Sequence, residues 1–223
     1  MAAISLKVHV VDGRGTPDRV LFQMHGFYSG QLQISTLGPI IDPSAHYLVV
    51  SPRGPLKVGD EDAYWYDRGG EGPEGQTFLT ALDSLDAALE EVCEERGFRR
   101  EDTIFLGFSQ GASLALALSL RDSDRPRPAG VIAWSGFLPQ IDGISYDWDR
   151  AAGLPVLVQH GTKDFMMPLA QGEKAALEMQ EHGATVSFHT YEMGHDVSVE
   201  SLGDARAWLD AVYKGTPLST PLR

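Results

Sequence analysis

The strongest chemical signal is Gly107-Phe108-Ser109-Gln110-Gly111. These residues close an apolar run with strand composition, TIFLGF at 103–108, and open one with helical composition, ASLALALSL at 112–120. A serine between two glycines at such a junction suits a tight strand-to-helix turn. That turn lifts the hydroxyl to the carboxyl edge of a sheet and aims the following amides at a reaction centre. A serine hydroxyl is a poor nucleophile by itself. It needs a general base, and the base needs a third group to hold its tautomer. Three histidines stand beside a glycine at strand ends: His25, His160 and His195. His9 and His189 fall inside strand patterns, and His46 and His182 lie beside elements, so they read as structural or surface residues. Asp164, in the HGTKD loop after PVLVQ, is placed to orient a base; Asp142, Asp147 and Asp149 are rivals in the preceding loop. A tetrahedral intermediate also needs amide donors. The Gln110 N–H comes with the serine turn, and Phe27, in His25-Gly26-Phe27-Tyr28 after VLFQM, offers a second.

Positioning these residues requires an alternation of strands and helices. Ile4–Val11 alternates, with Leu6, Val8 and Val10 on one face, which suits a half-exposed antiparallel outer strand. Asp12–Gly15 supplies turn residues. The later runs, Val20–Met24, Tyr47–Val50, Thr103–Phe108, Val131–Trp134 and Val156–Gln159, are short and continuously apolar. Strands covered on both faces read this way, so a mostly parallel sheet with helices on both sides is predicted. Thr185–Tyr191 is a further strand. Helices are predicted over Phe78–Arg96, with Gly97 as a left-handed stop, and over Gln110–Arg121, Leu169–Glu181 and Val199–Lys214, with Gly215 as a stop. The fold class is α/β, and residues 1–215 form one domain, with 216–223 a frayed tail. The stretch between Trp134 and Val156 is too short for a large lid domain, so the site should be open.

Composition removes other classes. The chain has 223 residues, with 18 Lys and Arg against 31 Asp and Glu, a formal net charge of −13. Nucleic acid and anionic membrane surfaces would meet repulsion. No apolar run is long enough for a membrane span, so no membrane insertion is expected. One cysteine, Cys93, falls on the apolar face of the Phe78–Arg96 helix and reads as a core residue. It can form neither an internal disulfide nor a metal site by itself. A cytoplasmic setting is the default.

Taken together, MHGF at 24–27, GFSQG at 107–111, HGTKD at 160–164 and GH at 194–195 resemble the phospholipase/carboxylesterase family of α/β hydrolases, which includes acyl-protein thioesterases. The resemblance implies the α/β-hydrolase fold and hydrolysis of small carboxylic esters or thioesters through an acyl-serine. It implies no cofactor or metal, and frequently a homodimer. In that fold the partners run serine, acid, histidine. His25 precedes the serine, and His160 leaves no equally well-placed acid before it. The resemblance therefore carries Ser109, Asp164 and His195 over as the triad, and Phe27 and Gln110 as oxyanion donors. The chain reads FYSG after MHG where thioesterase members show a glycine-aspartate run. Esters are accordingly the first expectation and acyl-protein or other thioesters the alternative. A non-catalytic binding protein on the same fold is more remote, because none of the three residues is missing. Tyr28, Phe137, Leu138, Met166 and Met167 flank the proposed centre and are expected to line a groove for modestly apolar groups. Trp65, in the long acidic segment Gly54–Gly75, belongs either to a loop anchor or to a substrate rim.

Overall fold

The computed structural model describes residues 3–12, 15–58, 62–70 and 72–218. Its elements are, in chain order, β1 (Val8–Val11), β2 (Arg19–Met24), α1 (Gln31–Ser35), α2 (Gly38–Ile41), β3 (Tyr47–Pro52), β4 (Leu56–Val58), β5 (Asp62–Tyr64), α3 (Gly75–Arg96), β6 (Thr103–Phe108), α4 (Gln110–Leu120), β7 (Gly130–Trp134), β8 (Pro155–Gly161), α5 (Leu169–Glu181), β9 (Thr185–Tyr191) and α6 (Val199–Lys214). Seven strands form one sheet in the order β1-β3-β2-β6-β7-β8-β9. β1 runs antiparallel to β3, with Val10 opposite Val50, and every other pairing is parallel.

The apolar strands are continuous because each face has its own helical layer. On one side, Phe22, Met24, Phe105, Val131 and Val158 pack with Phe78 and Leu82 of α3, Leu114 and Leu118 of α4, and Met179 of α5. On the other, Leu21, Val49, Ile104, Ile132 and Leu157 pack with Ile34, Ile41 and, from α6, Trp208 and Leu209. Alternate residues of one strand thus enter opposite cores, as a pleat with period two demands. α4 is buried along its whole length, which is why its sequence shows no polar face. Cys93 lies buried on the inner face of α3.

Helix ends follow their capping chemistry. The Glu74 carboxylate accepts the Gln76 and Thr77 amides at the start of α3, and Ser198 and Ser201 form a reciprocal capping box at the start of α6. α3 stops at Gly97 and α6 at Gly215, both at positive φ.

Several expectations are corrected. The strand expected from Ile4 begins at Val8. The segments between β2 and β3 and between β3 and α3 carry α1, α2 and the β4–β5 hairpin, none of which has enough periodicity to be read from sequence. The turn expected at Asp12–Gly15 lies partly outside the described residues, as does most of the tail. In the described part of the tail, Thr216 donates its amide to Ala211, and Leu218 packs on the α6 side of the core. Between Trp134 and Pro155 the ordered element is one 3-10 turn, Trp148–Ala151, so there is no lid domain there. No helix among the described residues is long and apolar enough to cross a membrane.

Candidate active site

Ser109 sits between the last residue of β6 and the first of α4 with φ 56° and ψ −115°. A non-glycine residue in that region carries strain of order 1–3 kcal/mol, which the surrounding packing must hold in place. Two close approaches do so. A Cβ at Gly107 would stand 2.1 Å from the Gly111 carbonyl oxygen, and one at Gly111 would stand 2.0 Å from that of Met24. Backbone lies where side chains would be, so only glycine permits the turn. The Ser109 N–H donates to the Trp134 carbonyl at 2.9 Å, tying the turn to β7.

His195 and Asp164 arrive from two neighbouring strand ends. Asp164 follows β8 and His195 follows β9, and these strands pair through Gly161 and Tyr191. The imidazole Nε2 lies 2.9 Å from Ser109 Oγ, and Nδ1 lies 2.7 Å from Asp164 Oδ2. With Nδ1 protonated, the ring donates to the carboxylate and leaves Nε2 free to accept from the serine hydroxyl. Phe108 packs against the ring at 4.8 Å between centroids.

The Asp164 side chain is fully buried. Burial alone would raise its pKa. Donation from the Met167 amide and from His195 outweighs burial, and the carboxyl is held below its ordinary value. Its Oδ1 accepts the Met166 and Met167 amides at 3.0 and 2.8 Å, leaving Oδ2 for the imidazole.

The rival residues have other occupations. His25 is buried, its Nδ1 donating to the Gly26 carbonyl and its Nε2 accepting the Gly54 amide. Burial first, and then the Arg53 charge, push its pKa down to about 4 despite the Gly26 bond, so it is neutral and structural. His160 is buried behind Asp164, with Nε2 2.8 Å from the Met167 carbonyl oxygen. Asp147 accepts the Asp149 amide at the head of a 3-10 turn.

A cavity of about 470 Å³ opens over Ser109 and His195. Phe27, Tyr28, Gln110, Phe137, Met166 and Met167 all line it. Gln110 is the first residue of α4, where a backbone N–H has no partner within the helix.

Two residues expected in the groove are not there. Trp65 has no exposed surface: its indole N–H donates to the His25 carbonyl at 2.8 Å and its ring lies tilted against that of His25, with centroids 4.9 Å apart. It anchors the loop from beneath, because its amide is also taken by Gln110 Oε1 at 3.0 Å. Leu138 turns inward and joins the core beside α4.

Their place in the wall is taken by Tyr66, Arg68, Pro73, Phe108 and Gln171. Phe108 is legible from its position next to Ser109. Arg68 is the one cation in the acidic stretch 59–75, a signal present in the sequence but lacking an orientation.

The profile of the family described as phospholipase/carboxylesterase matches residues 7–213. The Bacillus subtilis protein MhqD is 29% identical over 196 residues, covering 87% of this chain and 94% of that protein. Acyl-protein thioesterase 1 of Debaryomyces hansenii is 31% identical over 141 residues, 61% of this chain and 60% of its own length. Among solved structures, esterase PE8 superposes with a TM-score of 0.81 at 26% identity, covering 94% of this chain and all of that one. With nearly its whole length matched by that profile, the chain belongs to the phospholipase/carboxylesterase family of α/β hydrolases.

Proposed function

We propose that the chain is a serine esterase that cleaves small carboxylic esters through an acyl-serine intermediate. The observation carrying this is the continuous relay from Ser109 Oγ to His195 (2.9 Å) to Asp164 (2.7 Å), at the floor of an open cavity. In this reading His195 Nε2 takes the Ser109 proton as Oγ attacks the ester carbonyl. Asp164 stabilises the imidazolium that forms. The amides of Phe27 and Gln110 receive the developing oxyanion. Collapse expels the alcohol, which takes its proton from His195. Water then attacks the acyl-serine with His195 again as base, releasing the acid and restoring Ser109. None of these steps requires a metal or cofactor.

The cavity wall of Phe27, Tyr28, Phe137, Met166 and Met167 favours short to medium, modestly apolar groups. The setting proposed is cytoplasmic, with a homodimer as the assembly. A second reading, acyl-protein or other thioester hydrolysis, is favoured by the relatives named acyl-protein thioesterase. Competition between a small ester and an S-acylated peptide separates the two.

A fluorophosphonate should label the natural chain and leave Ser109→Ala unlabelled. Equal labelling of both would overturn the assignment of the nucleophile. A p-nitrophenyl ester series of rising acyl length should show an optimum, and a flat series would count against the groove.

A further inference from the structure

We propose that Arg68 makes the cavity selective for esters that carry a carboxylate at the end remote from the scissile bond. The inference rests on the esterase reading above and names the substrate class of that same site.

The described wall of the cavity contains one Lys or Arg side chain, that of Arg68. No described Asp or Glu lines it. That is unexpected in a chain with 31 acidic residues against 18 Lys and Arg, and more so because Arg68 lies in a stretch rich in Asp and Glu.

The described acids beside Arg68 are engaged elsewhere. Asp67 accepts the Tyr64 hydroxyl, and both Glu74 oxygens cap the start of α3. Among the described residues, no hydrogen bond or ion pair is made to the Arg68 guanidinium.

The segment holding Arg68 is itself fixed. Gln110 clamps it upstream through Trp65 and Tyr66, and a bridge pairs Arg68 with Pro73. Arg68 lies close enough to act on its neighbour Tyr66, whose hydroxyl burial pushes up and the Ser113 hydrogen bond, and then the Arg68 charge, draw back down.

Apart from Gln171 and the groups around Ser109, the rest of the wall is aromatic, thioether, proline and glycine, with no further charged side chain. A substrate with an apolar spacer and a terminal carboxylate matches both parts: the spacer lies along Phe27, Phe137 and Met167, and the carboxylate meets the planar fork of the guanidinium. A net charge of −13 repels anions at long range, so any preference for them must arise locally, at this residue.

The test compares mono-p-nitrophenyl esters of adipate, pimelate and suberate with the hexanoate, heptanoate and octanoate esters of matching length. Background is set by the Ser109→Ala chain. The ratio of kcat/KM, anionic over neutral, should exceed one for at least one length in the natural protein. It should fall roughly 10-fold in Arg68→Gln, the size of a charge-assisted contact. It should fall further in Arg68→Glu and recover in part in Arg68→Lys, with the loss falling more on the anionic esters than on the neutral ones. A ratio that Arg68→Gln leaves unchanged, or a natural ratio below one at every length, overturns the role of Arg68 while the esterase reading stands. If the natural protein cleaves neither series above the Ser109→Ala background, the esterase reading fails, and this inference fails with it.

Discussion

Gln110 holds Trp65 in place by accepting its backbone amide at 3.0 Å, while its Nε2 donates to the next carbonyl, that of Tyr66, at 2.8 Å. One side chain thus fastens the segment that walls the cavity to the helix that follows Ser109. In the proposed mechanism the backbone of the same residue serves the oxyanion. Gln110→Ala keeps that amide and removes the clamp. The buried Trp65 N–H then loses its partner, at a cost of about 1–3 kcal/mol. Urea denaturation should show that loss, with a rise in KM exceeding the fall in kcat. A variant with natural stability would show that the loop is held by Trp65 alone.

Asp164→Asn preserves shape but presents an amide to His195, favouring the wrong tautomer of the ring. Turnover should fall roughly 10⁴-fold, the cost of that exchange in serine proteases, with KM little changed. Initial rates with a p-nitrophenyl ester measure it. Retention of more than a tenth of the activity would exclude Asp164 as the orienting acid.

Backbone contact at the serine turn predicts a sharp contrast among glycines. Gly111→Ala drives a methyl to 2.0 Å from the Met24 carbonyl oxygen and should cost more than about 3 kcal/mol. Gly203→Ala, inside α6 with nothing within 4 Å of the new carbon, should stabilise the protein by about 0.5–1 kcal/mol. Thermal melts of the two variants should move in opposite directions.

His25 makes folding sensitive to acid. Its pKa drops from 6.5 to about 4 on folding, so between those values the unfolded chain binds a proton that the folded chain excludes. Stability therefore declines as pH falls below about 6.5, and this contribution levels off below about 4. Integrated, the loss is on the order of 3 kcal/mol. His25→Gln can still accept the Gly54 amide and takes up no proton. Its stability, followed by urea midpoints across that window, should fall less steeply than that of the natural chain; parallel curves would rule out His25 as the source.

The long elements and the candidate site residues could be picked out in the primary structure, and the shape of the cavity could not. α5, β6, β9 and α6 run between the residues that periodicity and stop signals indicated, because apolar spacing and capping are local properties of the chain. Glycine spacing around Ser109, and histidines and acids at strand ends, likewise mark candidates locally. Their meeting is a tertiary fact: the pairing of β8 with β9 sets Asp164 beside His195, and the turn at Ser109 brings Oγ within 2.9 Å. The segment between β3 and α3 shows the limit most clearly. Trp65 and Tyr66 are adjacent aromatics in an aperiodic loop, yet one goes under His25 and the other packs edge-on against Phe78 at the base of the cavity wall. Leu138 turns to the core while Phe137 lines the wall. Where no repeating backbone geometry relates neighbours, the direction of a side chain depends on partners tens of residues away, such as Gln110, and only the folded chain brings those together.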